Sequence, residues 1–150
     1  MRRFYICVIL LAAFWSSGCA ILAPIIDSAK QAGITEGDRR AGLDKEVKRF
    51  HDLLFIGDTD QAMAFFEDDA RSKFMLQFKK ASKNEKIVDN TVEDIQYQKE
   101  SHEADVHITV KYYSNTDYLL KERAVVEHWK FHTGGNWGIS SYHADDAPKT

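Results

Sequence analysis

A chain of 150 residues with 44% hydrophobic and 29% charged side chains has enough apolar surface to bury one core, and one folded domain is expected at this length. Its 20 basic and 23 acidic residues give a net charge of −3, which argues against a nucleic-acid partner because phosphate binding needs a basic surface. Both cysteines, Cys7 and Cys19, lie near the N-terminus, so the body that follows has no disulfide and no thiol metal site.

The chain opens with the positive Met1-Arg2-Arg3. Phe4 to Trp15 is an apolar run, and Ser16-Ser17-Gly18 places small residues before Cys19. Charge, apolar run and small residues in that order are the layout of a secretory signal, and the run is too short for a membrane-spanning helix of ~20 residues. The SSGC stretch resembles the lipobox of bacterial lipoproteins, with Ser16 where that family usually has Leu. The resemblance implies diacylglycerol on Cys19, cleavage before it and acylation of the new N-terminus, with palmitate among the attached chains. Several acyl chains on one residue make a stable anchor, because each buried CH₂ contributes ~0.8 kcal/mol. Ala20 in the next position implies sorting to the outer membrane, facing the periplasm, in a source with two membranes. Three plainer readings stand beside this one. They are a retained membrane helix from Phe4 to Ile26, an ordinary cleaved signal with Cys19 a bystander, and a twin-arginine signal without its upstream Ser or Thr.

The expected division is a leader over 1–18, a lipidated N-terminus and tether over 19–42, an α+β domain over 43–143 and a polar tail over 144–150. In the tether, Ile21, Leu22, Ile25 and Ile26 can rest against lipid, and Gly33, Gly37 and Gly42 break regularity; a short first helix packed on the domain is an equal alternative. From Leu43 the pattern is helical. Leu43, Val47, Phe50 and Leu54 recur at three- and four-residue steps. Gly57 stops this helix, and Asp58 caps the next with Gln61 as its capping-box partner. Asp68 or Asp69 starts a third helix carrying Ala70, Phe74 and Phe78. Lys79, Lys80, Lys83 and Lys86 follow as a solvated basic patch.

After Asn84 the period becomes two. Ile87 to Lys99 places Ile95 and Tyr97 on one side. Ala104, Val106, Ile108, Val110 and Tyr112 alternate with Asp105, His107, Thr109 and Lys111. Leu119 to His132 reads as a long, bulged strand, Gly134-Gly135-Asn136 as a tight hairpin and Trp137 to His143 as the last strand. Helices first and consecutive antiparallel strands afterwards give an α+β fold, with the N-terminal helices packed on one face of a curved sheet.

Three stretches are similar to the nuclear transport factor two-like family: LLFIGDTDQAMAFF, ADVHITVKYY and EHWKFHTGGNWGI. The family has a cone-shaped, cystatin-like α+β fold shared with ketosteroid isomerase and SnoaL-type cyclases, and the resemblance covers residues 43–143. Its members include enzymes, small-ligand binders and partner domains, so the fold alone does not choose an activity. Enzymes of this fold work from the interior of the cone, which makes Glu127 the candidate acid–base group. It shares a strand face with Val125, Trp129 and Phe131 if no bulge intervenes, and Tyr97 and Tyr112 can point the same way. The plainer account turns Glu127 to solvent or pairs it with Lys130 or another cation. No catalytic residue carries over from the isomerase pattern.

The histidines make no metal site on spacing. His128 and His132 would be ~13 Å apart on a strand at ~3.3 Å per residue, His102 and His107 fall on opposite faces, and His51 has no second ligand at a productive spacing. Zinc-protease, phosphate-loop and nucleophile-elbow patterns are absent. The expected function is therefore a membrane-anchored envelope lipoprotein with no cofactor, whose non-catalytic cone binds an envelope protein or a small apolar ligand, with Tyr97, Tyr112, Glu127 and Trp129 as possible pocket lining. Two alternatives remain open: a small isomerase or hydrolase using Glu127 with a tyrosine, and a structural envelope subunit that dimerises through its sheet.

Overall fold

The computed structural model describes residues 33 and 35–145. Cys19, the leader and most of the expected tether and tail lie outside the described residues. Three helical segments come first: α1 (Glu36–Ile56), the single turn α2 (Thr59–Ala62) continued by a 3₁₀ turn (Met63–Phe65), and α3 (Asp68–Asn84). Four strands follow, β1 (Glu85–Gln98), β2 (Glu103–Ser114), β3 (Leu120–Phe131) and β4 (Trp137–Asp145), in one antiparallel sheet of order β1-β2-β3-β4.

Helix α1 begins before Leu43, where the domain was expected to start, so residues 36–42 belong to it and not to a tether. Thr35 caps it by accepting a hydrogen bond from the Asp38 backbone N–H at 3.1 Å, and Glu36 and Asp38 place negative charge in its first turn. These first turns are held from outside the helix: the Trp137 indole N–H donates to the Arg39 carbonyl at 2.9 Å, and the Arg40 guanidinium lies 4.8 Å from the centre of the Tyr97 ring. Gly57 ends α1 at φ 81°, a left-handed conformation that glycine adopts without a Cβ penalty, and its N–H bonds back to the helix carbonyls. Asp58 then accepts from the Gln61 backbone N–H at 3.1 Å and from the Gln61 side chain at 2.6 Å, so the expected pair caps the helix, but one-sidedly: the Asp58 backbone N–H donates to the Leu53 carbonyl at 2.9 Å and not to Gln61.

The inward face of β2 is the alternating set Ala104, Val106, Ile108, Val110 and Tyr112, all buried as expected. It meets Leu43, Val47 and Phe50 from α1, Phe74 and Phe78 from α3, and Trp129 and Ile139 from the neighbouring strands in one core. Phe50 is fully buried at its centre, with ring centroids of Phe65, Phe66, Phe78 and Trp129 between 5.7 and 6.4 Å away.

The bulge expected in the third strand is elsewhere. β3 pairs with β2 without interruption, and its Val125, Glu127 and Trp129 all face inward. The shift occurs against β4, where His128 opposes Ser141 but Trp129 opposes Ile139, so Ser140 is the extra residue. Two further shifts lie in β1, at Val88 and Glu93. The β3–β4 hairpin turns through Gly134 and Gly135 at positive φ, and β4 continues through Ala144 to Asp145, two residues past the expected end of the domain.

Candidate functional site

Strand parity puts Glu127 on the core face of β3, and the structure buries it completely. A buried carboxylate is costly unless hydrogen-bond donors replace its water. Two groups approach it. The Trp129 indole N–H donates to Oε2 at 3.0 Å, and His51 Nε2 lies 3.1 Å from Oε1. The His51 Nε2 does not meet that oxygen in hydrogen-bonding alignment, so this second contact is a close polar approach and not an aligned hydrogen bond. His51 is itself 3% exposed. Glu127 is therefore turned inward and not to solvent, and the group beside it is a histidine of α1; Lys130 instead faces Glu103 at 3.7 Å.

Spacing gives His51 no second metal ligand, but it leaves open whether His51 faces the core. A usable signal was present: His51 lies four residues after Val47 and three before Leu54, on the apolar stripe of α1 itself. Its partner sits on a strand far along the chain, which no local pattern reveals.

Beside the pair opens a cavity of about 360 Å³ between the C-terminal ends of α1 and α3 and the inner face of the sheet. Leu54, Phe78, Ile87, Val110 and Tyr142 give it apolar walls; His51, Asn90 and Arg123 are polar groups in the lining. Phe55 and Ile56, 53% and 71% exposed, form part of its rim. Arg123 also follows from strand parity, two places from Val125 on the same face. Burial disfavours its charge, but the Glu85 carboxylate that it hydrogen-bonds outweighs this and holds the guanidinium above its ordinary value. The guanidinium also lies 4.2 Å from the centre of the Tyr112 ring.

The expected pocket lining is corrected by this arrangement, since none of Tyr97, Tyr112, Glu127 and Trp129 lines the cavity. Tyr97 sits at the other end of α1, its hydroxyl accepting from Arg39 Nε at 3.2 Å and its ring beside Trp137. Tyr112 is covered by Arg123. Trp129 is fully buried in the core, and Glu127 lies behind His51. Neither tyrosine hydrogen-bonds Glu127, so the geometry does not assemble the expected carboxylate–tyrosine pair. Two other histidines have ordinary polar neighbours: His128 Nδ1 is 2.6 Å from Asp105, and His132 Nε2 is 3.1 Å from Glu67. Among the described residues no group of three or more His, Cys, Asp or Glu side chains is placed to hold a metal ion.

No family model matches the chain, and no curated protein matches it by sequence. Solved structures do match. A ketosteroid isomerase-like protein from Erwinia carotovora atroseptica SCRI1043 superposes with a TM-score of 0.58 at 11% identity, over 69% of this chain and 92% of that one. A conserved protein from Planctomyces limnophilus DSM 3776 gives 0.55 at 13%, over 69% and 91%. A protein of unknown function with a cystatin-like fold from Nostoc punctiforme PCC 73102 gives 0.56 at 14%, over 77% and 95%. At these identities the likeness is one of fold. The described part of this chain is an α+β cone of the ketosteroid isomerase-like, cystatin-like kind, as its helix-then-strand pattern implied.

Proposed function

We propose that this chain is a lipid-anchored protein of the bacterial cell envelope whose cone binds a small, largely apolar molecule. The observation that carries the binding half is the cavity, with apolar walls, a few converging polar groups and a volume in the range of small-molecule sites. The motivation for the anchor is the order of charge, apolar run, small residues and Cys19 at the N-terminus.

The two halves are tested separately. For the anchor, cells fed radiolabelled palmitate are expected to label the wild-type chain and not Cys19→Ser. An unlabelled wild type, or label retained by the variant, refutes it. For the pocket, Ala81 of α3 lines the cavity, so Ala81→Trp sends an indole into it and not into packed core. With the full chain in lipid nanodiscs, calorimetry against a panel of small aromatic and aliphatic compounds is expected to find binding that Ala81→Trp weakens at least about tenfold, equivalent to ~1.4 kcal/mol. The variant also serves as the background for partitioning into lipid. Identical heats for the two proteins across the panel count against a ligand in the cone.

A further inference from the structure

Glu127 and His51 are the buried polar pair that apolar binding alone does not use. We infer that they make the cavity selective for molecules bearing one neutral, weakly acidic hydroxyl, which donates its hydrogen bond to His51 Nδ1; this rests on the cavity being a ligand site, as proposed above. Glu127 is fully buried, and Trp129 supplies a donor to Oε2 only. His51 Nε2 approaches Oε1 to 3.1 Å, and both atoms are sealed from solvent. An ionised carboxylate in that position demands a proton on Nε2. A neutral imidazole carrying its proton on Nε2 has a lone pair on Nδ1. Nε2 is the sealed nitrogen and His51 is a wall of the cavity, so Nδ1 is the ring nitrogen offered to whatever enters.

The site therefore presents an acceptor backed by a buried anion. Such an acceptor rewards an O–H in proportion to its acidity. The surroundings narrow the donor further. Arg123 lines the same cavity, but so does the Glu85 carboxylate that pairs with it, so this pair offers no net charge to an ionic ligand, and the rings of Phe78 and Tyr142 suit a flat aromatic body. Substituted phenols match this description and offer graded acidity at nearly constant shape. Glu127 is the positioning residue here, and His51 is the one that touches the ligand.

The experiment uses the full chain in nanodiscs with Ala81→Trp as background. Toluene, p-cresol and a series of para-substituted phenols of rising acidity are the probes. The wild type is expected to bind p-cresol roughly 10- to 100-fold more tightly than toluene, the worth of a hydrogen bond to a charge-backed partner, with affinity climbing along the phenol series. Glu127→Gln keeps the volume but lets either nitrogen of His51 carry the proton, so it is expected to flatten that climb while toluene binds as before. Equal binding of toluene and cresol, or a slope unchanged in Glu127→Gln, overturns the hydroxyl preference and leaves apolar binding standing. Failure of every probe to bind takes both readings down. A measurement free of variants completes the test: nitrogen-15 spectra of the histidine-labelled wild type are expected to show His51 protonated at Nε2 and bare at Nδ1, and the opposite tautomer overturns the inference.

Discussion

Replacing His51 by Leu is expected to destabilise the fold by about 3–5 kcal/mol, among the largest losses available to a single substitution in this chain. The change leaves Glu127 fully buried with the Trp129 N–H as its remaining close donor, and nothing replaces the water that the carboxylate gave up. Glu127→Leu is expected to cost less, about 1–3 kcal/mol, because the imidazole left behind loses one contact. The double variant His51→Leu/Glu127→Leu removes both polar groups from an otherwise apolar layer. It is expected to recover most of the loss and to fall within about 1 kcal/mol of wild type or above it, since well-packed apolar replacements of buried pairs are often neutral or stabilising. Urea midpoints of the four proteins close the cycle. Two single losses that simply add in the double variant would mean that the pair is not energetically coupled. The cycle also separates structure from use. A pair that can be exchanged for leucines without loss of stability is not kept for stability, which is what a ligand-facing histidine requires.

Phe50→Ala is the second large effect, expected at about 3–5 kcal/mol in the same urea experiment. Phe50 is fully buried between α1 and the sheet, edge-on to Phe66, Phe78 and Trp129 and 5.1 Å from the His51 ring, so its removal opens a void where helices and strands meet. Phe78→Ala makes an informative contrast, because Phe78 already borders the cavity and its loss enlarges an existing space. It is expected to cost about 1–2 kcal/mol less, as the penalty follows the new void created and not the atoms deleted. A Phe50→Ala loss below about 1 kcal/mol would show that the aromatic cluster repacks freely and is not the joint between the layers.

Much of this architecture was legible because its signals are local. The Leu43, Val47, Phe50 and Leu54 stripe, the Gly57 stop, the Asp58–Gln61 cap and the five-residue alternation of β2 each declare themselves within a few residues, and each is present. The first turns of α1 did not, because their apolar content is low. They are helical through a cap on Thr35 and a hydrogen bond from Trp137, which is tertiary information. The same division runs through the site. Parity along β3 offered an inward Glu127 only on the condition of an unbulged strand, which the uninterrupted β2–β3 register meets, and the same parity applied to Arg123 would have brought it into view. His51 needed the packing of α1 across β3 before its meaning appeared, and the tyrosines that parity aimed inward were claimed by Arg39 and Arg123 instead. Placing the bulge was equally non-local: Ser140 is extra only relative to its partner strand.

The shifts at Val88 and Glu93 have a consequence for how copies of this molecule behave when crowded. Among the described residues β1 is an outer strand, and the free side of such a strand can template a strand from a neighbouring copy. Each shift breaks the even spacing that such a strand would need, and Lys86, Asp89, Glu93 and Asp94 bring exposed charge to the same border. The same two shifts that interrupt the β1–β2 register thus also blunt this rim against the addition of a strand from a neighbouring copy.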